Sequence, residues 1–239
     1  MNKAWCCIPV YNNAGTIADV ARRCRKQMEN VVVIDDGSTD ADLRELLKPL
    51  EVTVIRHETN QGKGVALLTA FRHAAEHGGT HLITIDGDGQ HFPEDIPRFL
   101  ERLSPDTILL GHRVEFKGHM PRSAQFGRRF SDFWIYLETF TPVLDSQSGF
   151  RAYPVQHVLK LPMWSRHYNF EMEVLTRGLW AGLTVESIPI RVYYPPAAER
   201  VTSFHKVRDN VRIGRVHIRL LARRLWPVPQ QKLVNGTRA

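Results

Sequence analysis

The first half of the chain alternates short β-branched runs with longer amphipathic stretches, and no other feature restricts the fold as much. AWCCIPV is followed by an amphipathic stretch over 15–28, VVVID by one over 39–48, VTVIR by one over 63–77 and HLITID by one over 93–103; TILLG closes the series. Such alternation predicts an α/β fold, in which βα units build a mostly parallel central sheet covered by helices on both faces. Ligands of open α/β sheets sit outside the carboxyl ends of the strands. Four polar segments that follow these runs should therefore converge on one site: Pro9 to Asn13, Asp35-Asp36-Gly37, Asp86-Gly87-Asp88 and Gly111-His112-Arg113. The carboxylates of Asp35, Asp36, Asp86 and Asp88 would then be neighbours.

From about 114 to 200 the pattern loosens into a helix around 122–137, the segment DSQSGFRAYP, a helix near 170–181 and the strand TVESIPIRV. No Pro/Gly/Ser linker separates this part from the first half, so residues 1–203 read as one domain. Residues 204–239 read as a basic amphipathic helix and tail. Within it Val207, Val211, Ile218, Leu221 and Leu225 recur at helical spacing, beside a stripe of Arg208, Arg212, Arg215, Arg219 and Arg223.

That stripe concentrates the charge of a chain with net charge +7 and pI near 9.5, values that predict an anionic partner: nucleic acid, a phosphorylated ligand or an acidic membrane surface. No apolar run approaches the roughly 20 residues of a membrane-spanning helix, and the N-terminal apolar stretch is short for a signal peptide. A cytoplasmic protein is expected. Cys6, Cys7 and Cys24 have neither the even count of a disulfide framework nor a CxxC spacing, and read as buried free thiols.

The stretch ITIDGDGQHFPEDIP sets Asp86 and Asp88 one residue apart between glycines. Two such carboxylates can hold a divalent cation while leaving its other positions open to a diphosphate, and Gln90 could add a neutral oxygen. An EF-hand loop starting at Asp86 fails, because glycine and glutamate are required where His91 and Pro97 stand. The competing structural account is capping of a helix that starts near Pro93. Asp35 and Asp36, ending a buried strand, could accept hydrogen bonds from a nucleobase or ribose, with Ser38, Thr39 or Asp40 capping the next helix. Gly62-Lys63-Gly64 at a helix start favours phosphate, although it matches no complete phosphate-loop motif.

CIPVYNN, VVVIDDGSTD, NQGKGVALLTAF, ITIDGDGQHFPEDIP and DSQSGFRAYP occur in the order and spacing of the inverting family 2 glycosyltransferases. Over roughly residues 4–206 the chain most resembles their polyprenyl-phosphate branch, the dolichol-phosphate mannosyltransferase-like enzymes. The resemblance implies a GT-A, Rossmann-like fold, a nucleoside-diphosphate sugar donor, and Mg²⁺ or Mn²⁺. It assigns Pro9, Val10, Tyr11, Asn12, Asp35 and Asp36 to base and ribose, and Asp86, Asp88 and Gln90 to metal and diphosphate, with Gly62, Lys63 and Gly87 on the donor side. Arg113, Arg128, Arg200 and Lys206 would bind donor or acceptor phosphates. The chain departs from the family pattern at Asn13, Gly87 and His112, where glutamate, alanine and serine are common; none of these is an expected metal ligand.

On this resemblance the acceptor attacks the anomeric carbon from the face opposite the leaving nucleoside diphosphate, and the configuration inverts. A lipid monophosphate acceptor, with a second pKa near 6, needs no protein base. A hydroxyl acceptor needs one, and Asp145, Glu171 and Glu173 are the available carboxylates. The arginine-striped C-terminal helix fits an anionic cytoplasmic leaflet with Trp226 as interfacial anchor, which predicts peripheral attachment to the inner face of the cytoplasmic membrane; packing on the catalytic domain gives the same pattern. A sugar nucleotidyltransferase is disfavoured because PVYNNAG stands where a glycine-rich basic loop would follow the first strand. Nucleic-acid binding is disfavoured because no helix-turn-helix, RRM or zinc pattern is present and aromatics do not interleave with the basic run.

Overall fold

The computed structural model describes residues 3–118, 122–194, 196, 206–226 and 232–234. Its elements run β1 (Ala4–Val10), α1 (Ala14–Gln27), β2 (Val31–Asp35), α2 (Leu43–Leu47), β3 (Thr53–Arg56), α3 (Lys63–Glu76), β4 (His81–Thr84), α4 (Ile96–Leu100), β5 (Thr107–Gly118), α5 (Arg122–Thr139), β6 (Arg151–Pro154), α6 (Val155–Lys160), α7 (Phe170–Trp180), β7 (Thr184–Tyr194) and α8 (Lys206–Leu225). Among the described residues the strands form a seven-stranded sheet in the order β3-β2-β1-β4-β6-β5-β7. All pairings are parallel except those of β6, which is antiparallel to both β4 and β5.

Strand periodicity divides the apolar runs between two cores. Cys6, Ile8, Val31, Val33 and Ile83 face the core shared with α1, α2 and α4. Trp5, Cys7, Val32, Ile34 and Leu82 face the other, filled by Phe71 of α3, Val158 of α6 and Phe170 and Val174 of α7. Both faces of β1, β2 and β4 are therefore dry, which is why these runs are apolar throughout. Each fully buried Val, Ile or Leu contributes about 1.5–3 kcal/mol. The three cysteines are buried and unbridged, as their spacing predicts.

Two local expectations are corrected. The helix expected over 39–48 begins at Leu43 and is capped by Asp42, whose side chain accepts from the Arg44 amide. Asp40 instead accepts from the Ala14 amide at the start of α1, and Ser38 Oγ accepts from the Asn12 amide; these polar residues fasten one strand-end loop to its neighbour. The strand expected to stop at Gly111 continues to Gly118, paired with β7 through an irregularity between Arg113 and Glu115. Gly111, His112 and Arg113 thus lie inside β5.

The C-terminal helix α8 packs against α5 and α7, but not by the apolar stripe seen in the sequence. Asp209, Val216, His217 and Leu220 are buried, whereas Val211, Ile218, Leu225 and Trp226 are exposed. His217 Nδ1 lies 2.7 Å from Glu138, which also accepts from the Thr176 hydroxyl at 2.7 Å. This buried polar cluster ties α8 to α5 and α7, and leaves Val211, Ile218 and Leu225 of the apolar stripe facing outward, with Leu221 half-buried and the side chain of Val207 outside the described residues.

Candidate active site

A cleft of about 590 Å³ opens over the carboxyl ends of β1, β2 and β4. Pro9, Val10, Tyr11, Asp36, Gly62, Lys63, Asp86, Gly87, Asp88 and Gln90 line it, so most of the residues singled out in the sequence meet there. Asp86 and Asp88 follow β4 on a turn in which Gly89 takes φ 75°. Asp88 accepts from the Gln90 amide at 3.0 Å. The Pro93–Asp95 turn has no side-chain cap, so capping does not account for the aspartates.

Lys63, the first residue of α3, sits between two carboxylates, with Nζ 2.6 Å from Asp86 and 3.1 Å from Glu171. Burial disfavours its charge, but Asp86 and Glu171 prevail and hold the ammonium well above the ordinary lysine range. Burial likewise opposes ionisation of Asp86, yet Lys63 and His91 keep its carboxyl below the usual value. Asp88 is pushed up to about 6 by burial together with the charge of Asp86. Two half-buried carboxylates beside one ammonium leave negative charge in excess, and Glu171 Oε1 is buried without a hydrogen-bond partner among the described residues. This donor set fits a hard divalent cation held by one or two carboxylates with open positions; no closed cluster of three or more His, Cys, Asp or Glu occurs among the described residues.

Asp36 faces the cleft, but its oxygens are engaged. They accept from the Gln61 amide at 3.0 Å and the Gly62 amide at 2.8 Å, and contact His57 Nδ1 at 2.7 Å. Asp36 thereby fixes the turn in which Gly62, at φ 98°, starts α3 and delivers Lys63. Asp35 does not line the cleft. It is fully buried, accepting from the Ser38 amide at 2.8 Å and from Arg56 at 2.9 Å; the expected cluster of four carboxylates is a cluster of three, because alternate strand-end residues point to opposite sides. Asn12 is also outside the cleft lining, at φ 53°, its side-chain oxygen accepting from the Thr39 amide.

On the β5 side Asp145 is buried and gathers arginines. It accepts from Arg113 Nε at 2.7 Å and from the Arg113 amide at 3.0 Å, with Arg128 at 3.5 Å. Burial opposes its charge, but Arg113 and Arg128 hold its carboxyl below the ordinary range. A carboxylate so committed is a poor proton acceptor, which corrects the expectation of Asp145 as a base. Glu173 is likewise committed, accepting from the Ser165 amide at 2.8 Å and from Arg177 at 2.6 Å. Arg113, Arg128 and Asp145 do not line the cleft. Arg200 lies outside the described residues, as does the side chain of Lys206, whose backbone opens α8.

Several contributors carry no sequence signal of their own. His91 is buried 4.0 Å from Asp86 and is lowered to about 4 by burial, hence neutral at pH 7. Gly149 of DSQSGFRAYP presses on Asp86 so closely that a Cβ there would collide with the carboxylate. Tyr168 and Gln147 line the cleft, as do Asp209, Arg212 and Ile213 of α8.

Residues 5–158 match the family described as glycosyl transferase family 2. The chain is 30% identical to the UDP-N-acetylglucosamine–dolichyl-phosphate N-acetylglucosaminyltransferase of Methanococcus voltae, covering 92% of this chain and 96% of that protein. It is 28% identical to the undecaprenyl-phosphate mannosyltransferase of Micrococcus luteus, covering 77% and 80% respectively. The structure of glucosyl-3-phosphoglycerate synthase from Mycobacterium tuberculosis, solved with Mn²⁺, UDP and glucosyl-3-phosphoglycerate, superposes with a TM-score of 0.68 at 19% identity, covering 93% of this chain and 80% of that one. That likeness gives the α/β architecture a GT-A frame, and the sequence matches supply the rest: this chain belongs to glycosyl transferase family 2 and is a glycosyltransferase.

Proposed function

We propose that this glycosyltransferase moves a sugar from a nucleoside-diphosphate donor to a polyprenyl phosphate, with inversion at the anomeric carbon. The observation that carries the reading is the Asp86-Gly87-Asp88 turn opening into the cleft with excess negative charge. The named acceptors of the two relatives, dolichyl phosphate and undecaprenyl phosphate, support the lipid phosphate. UDP in the name of the first relative makes a UDP-sugar the first donor to test.

On this reading Pro9, Val10, Tyr11 and Asp36 wall the nucleoside, and Asp86 and Asp88, with Gln90 beside them, hold Mg²⁺ or Mn²⁺. The bound ion would neutralise charge on the leaving diphosphate. Lys63, held charged in the cleft, adds a phosphate-facing cation. An acceptor phosphate oxygen forms the new bond to the anomeric carbon, and the electron pair of the breaking bond leaves with the diphosphate. No proton needs removal, since a phosphate monoester is largely dianionic at pH 7, and no carboxylate is needed as base. Asp145 is a positioning residue that orients Arg113 and Arg128, the acceptor-side cations together with Arg200 and Lys206.

Val211, Ile218 and Leu225 of α8 and Trp226 just after it are exposed, as are Phe130 and Phe133 of α5, and Trp134 of α5 stacks on His217 of α8. An apolar face flanked by arginines suits peripheral binding to an anionic leaflet, where a lipid acceptor resides. No helix among the described residues is long and apolar enough to cross a membrane.

Calorimetric titration of UDP, GDP and dTDP with and without Mn²⁺, for wild type and Asp88→Ala, tests the donor half. Metal-dependent binding of one nucleotide, lost in the variant, is expected. Transfer of labelled sugar to polyprenyl phosphate but not to the dephosphorylated polyprenol tests the acceptor half; transfer to the alcohol would overturn it.

A further inference from the structure

Away from the cleft, three arginines converge on one indole. The guanidinium carbons of Arg177, Arg219 and Arg223 lie 4.0, 4.7 and 5.9 Å from the centroid of the Trp164 ring. None of these four residues lines the cleft. The carboxylate facing them is Glu173, which takes Arg177 Nε at 2.6 Å and is otherwise occupied by the backbone amides of Trp164 and Ser165. Among the described residues, three cations thus face one anion.

Cation–π attraction of about 0.5–2 kcal/mol per contact offsets part of the repulsion among them. It does not satisfy their hydrogen-bonding capacity. Arg177 is only 3% exposed, yet its Nη2 has no hydrogen-bond partner among the described residues. Arg223 Nε and the Ser165 hydroxyl are orphaned in the same way. Burial lowers the Arg177 pKa below its ordinary value; Glu173 opposes this, and the charges of Arg223 and Arg219 add to the lowering. Such a group of buried donors is costly unless an acceptor completes it.

We infer that the notch formed by Arg177, Arg219 and Arg223 over Trp164 is a second anion site, separate from the cleft, that takes a phosphate group. Guanidinium forks match tetrahedral phosphate oxygens with paired N–H donors, and a dianion would cancel the excess positive charge. Arg219 follows Ile218, which is 65% exposed on the outward stripe of α8. The phosphate can accordingly belong to a lipid headgroup or to a soluble phosphate ester. The site rests on these residues alone and stands or falls independently of sugar transfer.

The test compares thermal unfolding of the full chain in phosphate and in chloride at matched pH and ionic strength, for wild type and for Arg219→Gln/Arg223→Gln. Phosphate should raise the wild-type midpoint above that in chloride. The double variant should unfold in chloride no lower than wild type, because repulsion is relieved, and should lose the phosphate-specific rise. Its calorimetric affinity for inorganic phosphate should fall at least about tenfold. Arg219→Gln alone, at an exposed position, should already weaken the response. Sedimentation with phosphatidylcholine vesicles, with and without phosphatidylglycerol, identifies the source. Wild-type binding to the anionic vesicles that inorganic phosphate competes away, and that the double variant lacks, indicates a headgroup; vesicle binding unchanged in the double variant, with its phosphate response gone, indicates a soluble ester. Equal responses of wild type to the two salts, or a phosphate-specific rise surviving in the double variant, would overturn the inference.

Discussion

Gly149→Ala should damage the site from a position that bears no chemistry. An alanine Cβ at 149 would overlap the Asp86 carboxylate, Oδ2 most of all, so the carboxylate must retreat by about 1 Å to regain ordinary contact at 3.4 Å. That retreat disturbs the 2.6 Å contact between Asp86 and Lys63. Overpacking costs about 1–3 kcal/mol of stability, and a misplacement approaching 1 Å in a positioned group costs about 10²-fold in rate. The assays are thermal unfolding, metal-dependent nucleotide binding and sugar transfer, with Gly15→Ala as control. A Cβ at Gly15, inside α1, meets nothing within 4 Å, so the control should gain up to about 1 kcal/mol from helix propensity with activity unchanged. A Gly149→Ala protein with wild-type nucleotide affinity and turnover would refute the idea that this glycine sets the Asp86 carboxylate.

Three other perturbations separate roles that the geometry assigns. Asp88 titrates at about 6 in the folded chain against an ordinary 3.8, raised by burial and by Asp86. A carboxyl whose pKa rises on folding binds more protons folded than unfolded, so its contribution is lost as pH climbs from about 4 to about 6 and is fully unfavourable above. In EDTA at pH 7, Asp88→Asn should therefore unfold at a higher temperature than wild type, by at most about 3 kcal/mol, while metal-dependent nucleotide binding disappears; a lower midpoint would contradict the charge-excess argument. Asp145→Asn strands the Arg113 and Arg128 charges and should cost about 3–5 kcal/mol. Its residual activity should keep the wild-type pH dependence, whereas loss of an alkaline plateau would restore Asp145 as a base. Ile218→Asp, on the outward stripe of α8, should leave the unfolding midpoint within about 0.5 kcal/mol yet reduce sedimentation with anionic vesicles, and unchanged sedimentation would move the membrane contact elsewhere.

The parts of the fold legible in the sequence are those where one local rule suffices. Runs such as VVVID are dry on both faces, so composition alone identifies the inner strands, and DGDG after HLITI identifies the turn that carries Asp86 and Asp88. Asp35 and Asp36 look equivalent in sequence, while the strand's alternation sends one to Arg56 and the other to the cleft. The helical wheel of α8 found an apolar stripe correctly but could not say what it faces. The deciding contacts, His217 with Glu138 and Asp209 in the cleft wall, are polar and distant in sequence.

The least legible element, β6, is also the one that completes the site. Its four residues have no distinctive periodicity, and an array of βα units gives no reason to expect a reversed strand. Yet the reversal is what the site requires. β6 pairs antiparallel with β4 so that Thr84 lies opposite Arg151, and continuing that register by two residues sets Gly149 opposite Asp86. A parallel β6 would enter the sheet from the other end, placing the chain before it far from the carboxyl end of β4. Reversed, it brings the residues that precede it to the Asp86-Gly87-Asp88 turn, where Gly149 bears on Asp86 and Gln147 joins the cleft lining. Arg151, fully buried, fastens this approach by donating to the Ser146 and Ser148 carbonyls and to the Glu171 carbonyl at the start of α7. One side chain thus holds the loop on Asp86 and the helix that carries Glu171 to Lys63, and its replacement by Leu should loosen both sides of the cleft together.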